Sequence, residues 1–170
     1  LTSTKGTHTI SMGPGCAFYL DAHSSTTSPS RTTLHDASGK ELGVYREADR
    51  TAQNELDILP TEFVNFKTKD GATLWARLIK PAGFTPGRKY PAIVAVYGGP
   101  HAQTVRDAWS AANWDQVMAH KGYVIWQVDN RGSANRGHAF EAAVNRKLGV
   151  KELADQREGL DLGGPRDVGA

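Results

Sequence analysis

The run Ala92-Ile93-Val94-Ala95-Val96-Tyr97, opened by Tyr90-Pro91 and cut off by Gly98-Gly99-Pro100, constrains this chain more than any other segment. An unbroken apolar run without alternation suits a strand buried on both faces of a parallel sheet. A parallel neighbour must be reached by a long crossover, usually helical. Trp109, Ala112, Asn113, Gln116, Val117 and His120 recur at helical spacings over 109–120, Trp114 and Met118 add another pair, and Gly122 ends the segment. A second β-rich run, 123–128, ends in Asp129-Asn130-Arg131-Gly132. Strand, helix, strand predicts a βαβ unit with a right-handed crossover. Downstream, Phe140, Ala143, Val144 and Leu148 mark one helical stripe, and Val150, Leu153 and Leu160 another.

Upstream of the apolar run the pattern differs. Residues 62–67 and 73–79 flank Asp70-Gly71 and predict an antiparallel hairpin, although Phe63 and Phe66 break strict alternation in the first arm. Residues 81–89 read as an exposed loop. The charged, irregular stretch 49–60 reads as a linker. Before it, four short strand-like runs (8–12, 16–22, 31–35 and 42–46) are separated by Gly13-Pro14-Gly15, a polar loop over 24–30 and a turn at Ser38-Gly39. Close spacing of this kind suggests one propeller blade or a sandwich fragment. The unit is not repeated, which excludes a complete propeller within these residues. The expected organisation is therefore a β-rich piece over 1–48, a linker over 49–60 and an α/β region over 61–170.

Hydrophobic content of 39% and charged content of 22% exclude wholesale disorder. A net charge of +2, with neither sign forming a long block, gives no support to a nucleic-acid or membrane-surface partner. Cys16 is the one cysteine, so there is no internal disulfide and no cysteine cluster for a metal. The apolar runs are strand-sized and far short of a membrane span. The start, Leu1-Thr2-Ser3-Thr4-Lys5, has neither a methionine nor the apolar core of a signal peptide, and reads like the middle of a longer polypeptide. Gly163-Gly164-Pro165 lacks a following Gly-Lys-Ser/Thr, so a phosphate loop is not supported. No cofactor and no metal are expected.

Three segments in order carry a family resemblance: Tyr90 through Gly98-Gly99-Pro100-His101; Asp129-Asn130-Arg131-Gly132-Ser133-Ala134-Asn135-Arg136-Gly137; and Phe140-Glu141-Ala142-Ala143, Leu148-Gly149 and Asp155-Gln156. Together they resemble the prolyl oligopeptidase family, specifically its dipeptidyl peptidase IV branch. Thr32-Thr33-Leu34-His35-Asp36-Ala37-Ser38-Gly39-Lys40 is similar to the end of that family's β-propeller. The resemblance runs from about Thr9 to Asp161. It implies a fold of class α/β: a partial α/β-hydrolase sheet of about four strands with flanking helices, preceded by a piece like the last propeller blade. It also implies a peptide substrate and the release of N-terminal dipeptides with proline or alanine second. The family's serine sits in a Gly-x-Ser-x-Gly elbow expected shortly after Asp155-Gln156. No such motif occurs in these residues, and the end, Leu162 to Ala170, does not match the family pattern.

From the residues alone, Tyr97 is a strand-end tyrosine closing the core. The resemblance instead implies the phenol that helps form the oxyanion hole, where a donor meets the developing alkoxide. Ser133 lies in a Gly-Ser-Ala-Asn turn, not an elbow, and Ala134 stands where the family has glycine. His101 follows the Gly-Gly-Pro turn and reads as an exposed loop histidine rather than a general base. His120 and His138 are expected at helix ends, where charge complements the dipole. His8, His23 and His35 are scattered without metal-ligand spacing. Asp129 ends a strand, and Asp129-Asn130-Arg131-Gly132 is expected to organise the following loop, with Arg131 paired to a carboxylate. Glu152 and Asp155 are expected on a solvated or salt-bridged helix face. The acidic pair that grips the substrate's amino terminus in the family belongs to propeller residues absent here, so no substrate-recognition residue is assigned.

The family's sheet order would set the 92–97 strand beside the strand that carries the serine elbow. Without it, 92–97 becomes an apolar edge open to a second copy or to the missing remainder of the enzyme. Three functional classes follow: an inactive piece of a serine exopeptidase; a small esterase-like hydrolase using Ser133 with His101; or a self-associating, non-catalytic module. The first is favoured because no nucleophile lies on an elbow.

Overall fold

A computed structural model describes residues 1–111, 113–162 and 164. They form two compact units, one of Leu1–Ile58 with Arg106–Asn113, the other of Leu59–Val105 with the residues from Trp114 onward.

The first unit is an antiparallel four-stranded sheet in chain order: β1 (Thr7–Met12), β2 (Phe18–Ser25), β3 (Ser28–Asp36) and β4 (Glu41–Arg46). The polar loop expected over 24–30 shrinks to a tight connection, because β3 already begins at Ser28 and takes Pro29 into the sheet, buried beside an irregularity in the β2–β3 register. Proline is tolerated where the ladder is interrupted. The Ser38-Gly39 turn is built by Asp36, whose Oδ1 accepts from Ser38 N (2.9 Å), Ser38 Oγ (2.6 Å) and Lys40 N (3.0 Å). Helix α1 (Thr51–Glu55) interrupts the stretch expected to be a plain linker.

The helix expected over 109–120 is shorter, α2 (Trp114–His120). The residues before it belong to the first unit: Asp107 Oδ1 accepts from Thr26 N at 2.8 Å, Asp107 O accepts from Thr7 Oγ1 at 2.7 Å, and Trp109 N donates to Ser24 Oγ at 3.4 Å. Helical spacing thus lost to hydrogen bonding with a sheet far back in the sequence. Ala112, placed on that helical face by the sequence, lies outside the described residues, as do Gly163 and 165–170 of the unmatched end.

The second unit is a mixed four-stranded sheet in the order β5 (Thr61–Lys67), β6 (Thr73–Ile79), β8 (Val124–Asp129), β7 (Ala92–Val94). β5 and β6 form the expected hairpin, closed by Thr68 N donating to Ala72 O at 2.8 Å. β7 and β8 run parallel and are joined through α2. The strand buried on both faces is β8, not the 92–97 run: every residue of β8 is buried, whereas β7 has only three residues, none of them buried. The reason is position. β8 has a partner on each side and helices over both faces, while β7 pairs only with β8 among the described residues.

Alternation along the strands sorts the core into two layers. Leu74, Ala76, Leu78, Val124, Trp126 and Val128 face one side, where Phe140 of α3 (His138–Ala142) and Leu160 of α4 (Lys151–Leu162) cover them. Ile79 and Ile125 face the other side, under Ala119 and Met118 of α2. α4 lies close to the sheet at Gly159, where a Cβ would meet Val128 Cγ2 at 3.0 Å and Phe66 Cζ at 3.1 Å. No helix among the described residues is long and apolar enough to cross a membrane.

Candidate functional site

The C-terminal ends of the parallel pair β7 and β8 converge on two loops, 95–105 and 130–137. In open α/β sheets this edge is where functional groups gather. The β7 ladder extends one bond past the strand, with Ala95 N donating to Trp126 O at 2.8 Å. The chain then turns outward. Tyr97 is 62% exposed, so it does not close the core. Gly98 follows at φ 73°, in the left-handed region that favours glycine. At Gly99 a Cβ would come within 3.0 Å of Tyr97 Cε1, so the ring lies close over the Gly99 backbone. The loop therefore presents a phenol at the end of a parallel strand.

Past the turn, the loop is tied to the segment after β8. His101, itself at φ 58°, donates its backbone N–H to Gly132 O at 2.9 Å. Asn135 Nδ2 donates to Gln103 Oε1 at 3.0 Å. Asp129 is 1% exposed; its Oδ1 accepts from Thr104 N (2.8 Å), Thr104 Oγ1 (2.8 Å) and Val105 N (3.1 Å), and its Oδ2 from Arg136 Nη2 (2.8 Å). The sequence predicts that Asp129 organises the loop that follows it. Three of its four donors come instead from the loop before α2, a link that no local spacing reveals.

A second set of ion pairs holds the 130–137 loop from behind. Arg131 pairs with Asp155, whose Oδ2 also accepts the Arg131 backbone N–H at 2.8 Å, and Arg131 Nη1 reaches Asp70 Oδ2 at 2.8 Å. Asp155 is fully buried (0% exposed) and Glu152 is buried too, so the solvated expectation for this helix face does not fit; the salt-bridged one fits Asp155, while Glu152 Oε2 accepts from Gly149 N at 3.0 Å. The Asp155 carboxylate, together with Asp70, keeps the Arg131 guanidinium charged well above its ordinary range, against the opposing effect of burial. Arg131, then Lys151 and Thr68, hold the Asp70 carboxyl well below the usual carboxylate range. Gln156 Nε2 completes the support by donating to Val128 O (3.1 Å) and Asn130 Oδ1 (3.0 Å).

Ser133 and His101 are engaged elsewhere. Ser133 is 4% exposed and its Oγ donates to Asn130 O at 2.8 Å. The His101 imidazole is exposed and pairs through Nδ1 with Glu141. Both histidines lie at helix ends, His120 at the C-terminus of α2 and His138 at the N-terminus of α3, where a positive charge does not complement the dipole. In the first unit, β1–β2 register sets His8 opposite His23, with ring centroids 4.4 Å apart, and His8 Nδ1 lies 2.8 Å from Asp21 Oδ2. His35 stacks on Tyr19 at 4.9 Å. With Arg31 and Glu41 these histidines line a cavity of about 310 Å³. No group of metal-ligating side chains occurs among the described residues.

The profile of the prolyl oligopeptidase family matches residues 109–163, and the chain belongs to that family. Its relatives place it in the dipeptidyl peptidase IV branch. Mouse dipeptidyl peptidase 8 is 32% identical over 94% of this chain, and human prolyl endopeptidase FAP is 41% identical over 74% of it. Among solved structures, a dipeptidyl aminopeptidase IV homologue from Bacteroides ovatus superposes on 93% of the chain with a TM-score of 0.85 at 38% identity. Dipeptidyl peptidase 4 of Porphyromonas gingivalis superposes on 96% with a TM-score of 0.84 at 32% identity. The chain spans 19% and 17% of the two curated relatives and 23% and 24% of the two solved chains, roughly a fifth of each.

Proposed function

We propose that this chain is the part of a serine exopeptidase that carries its oxyanion-hole tyrosine, within an enzyme that removes N-terminal dipeptides with proline or alanine second. The observation that carries the reading is Tyr97: an exposed phenol at the end of the parallel strand pair, on a glycine turn. When a serine attacks the scissile carbonyl, negative charge builds on the carbonyl oxygen. A phenol already in position donates to that oxygen with no reorganisation, which is why such donors lower the barrier. No Gly-x-Ser-x-Gly occurs among these residues, so on this reading the nucleophile lies outside them, and the family's order of serine, then aspartate, then histidine puts its partners outside them too. The first unit serves as the end of the propeller and the second as the opening half of the hydrolase sheet. The outer edge of β7 takes a further strand, either from the rest of the enzyme or from a second copy of this chain.

The test pairs a Gly-Pro chromogenic dipeptide with a short acyl ester. The purified chain is expected to turn over neither. Turnover that disappears in Ser133→Ala would overturn the reading and establish a different nucleophile. Within the longer peptidase that contains this segment, Tyr97→Phe is expected to lower kcat and leave KM nearly unchanged.

A further inference from the structure

Besides the His101 N to Gly132 O and Asn135 to Gln103 bonds, two anchors on either side of Tyr97 belong to β8. One is the Ala95 N to Trp126 O bond at 2.8 Å, which holds the approach from β7. The other is Asp129, which closes the loop at its far end through Thr104 and Val105. A carboxylate 1% exposed is costly unless its oxygens are satisfied, and here the loop supplies most of the donors. The dependence is mutual: without that carboxylate, the Thr104 and Val105 amides and the Thr104 hydroxyl lose their acceptor. Arg136 meets the remaining oxygen at 2.8 Å while its guanidinium lies 5.5 Å from the ring centre of Trp75, the residue opposite Asp129 in the β6–β8 register. The cation is thus held in place on the sheet, and with it the orientation of the carboxylate.

We infer that Asp129 is a positioning residue for Tyr97, acting through Thr104 and Val105 rather than by touching substrate. As a statement about catalysis this rests on reading Tyr97 as the oxyanion donor; as a statement about loop order it does not. The experiment separates the two. The chain is labelled with fluorotyrosine, and the Tyr97 resonance is assigned by its loss in Tyr97→Phe. Amide exchange at Thr104 and Val105 is measured in the same samples. In Asp129→Asn, the Tyr97 resonance should move towards that of free fluorotyrosine while those of Tyr19, Tyr90 and Tyr123 stay in place. Protection at Thr104 and Val105 should fall by about tenfold or more. Thr104→Val, which keeps the carboxylate, should shift Tyr97 in the same direction by less, and Thr104→Ser should restore it. If Asp129→Asn does not fold, the Thr104 pair decides. An unmoved Tyr97 resonance in the folded variants would overturn the inference. In the longer peptidase, Asp129→Asn should lower kcat at unchanged KM. If Tyr97→Phe has no kinetic effect there, the oxyanion reading fails while the loop measurement still stands or falls by itself.

Discussion

Tyr97 and Ser133 show how little a residue's type says about its use. Both carry a hydroxyl in a loop near the end of a strand. Tyr97 is open to solvent on a glycine turn, whereas Ser133 is buried and donates to Asn130 O. Removing one preorganised oxyanion donor typically costs about 100- to 1000-fold in kcat, and that is the loss expected of Tyr97→Phe in the longer enzyme. Ser133→Ala is expected to leave hydrolysis unchanged and to destabilise the fold by about 1 kcal/mol, since Asn130 O keeps the Ser133 backbone N–H as a partner. Steady-state kinetics and urea unfolding of the two variants, run in parallel, check both.

At the scale of elements, Arg131 is the residue through which the β5–β6 turn, the loop after β8 and α4 meet. Its partner Asp155 is fully buried, so Asp155→Ala strands a mostly buried guanidinium and should cost about 3–5 kcal/mol in chemical denaturation. Asp70, at the hairpin turn, is the exposed end of the same network. Its carboxyl is held below the ordinary value of 3.8 by Arg131, Lys151 and Thr68. A depressed folded-state value means that the carboxylate stabilises the fold above the unfolded-state value and loses that contribution as pH falls below it. The stability gap between the wild-type chain and Asp70→Asn should therefore be constant near neutrality and shrink below about pH 4, with a small amplitude because the pair is solvent-screened. A gap that widened on acidification would contradict the assignment.

For the whole molecule, the side of β7 that has no strand partner among the described residues is the feature with the largest consequence. Ile93 and Val94 are only half-buried, and Val96 is 53% exposed. Unpaired strand edges recruit other strands. Light scattering should show a mass that rises with concentration in the micromolar range, and Ala92→Lys, which adds a charge at the exposed residue of β7, should return the mass to that of one chain. A single mass at all concentrations, equal to one chain, would show that the edge does not recruit a second copy.

The sequence by itself determined the elements whose signals are local. The 61–79 hairpin, the parallel pair joined by a helix, and a phenol at the end of the first parallel strand were all legible from alternation, apolar runs and glycine placement. So was the pairing of Arg131 with a carboxylate. Tertiary structure decided the rest, because the deciding contacts are far apart in the chain. Burial on both faces fell to β8 rather than to the more apolar 92–97 run, since burial depends on the number of neighbouring strands and covering helices, not on composition. The helix expected from Trp109 began only at Trp114, because Asp107 found better partners on β1 and at the β2–β3 turn. The reach of Asp129 back to Thr104 was invisible for the same reason: a hydrogen bond between residues so far apart follows only from a sheet that has already aligned them.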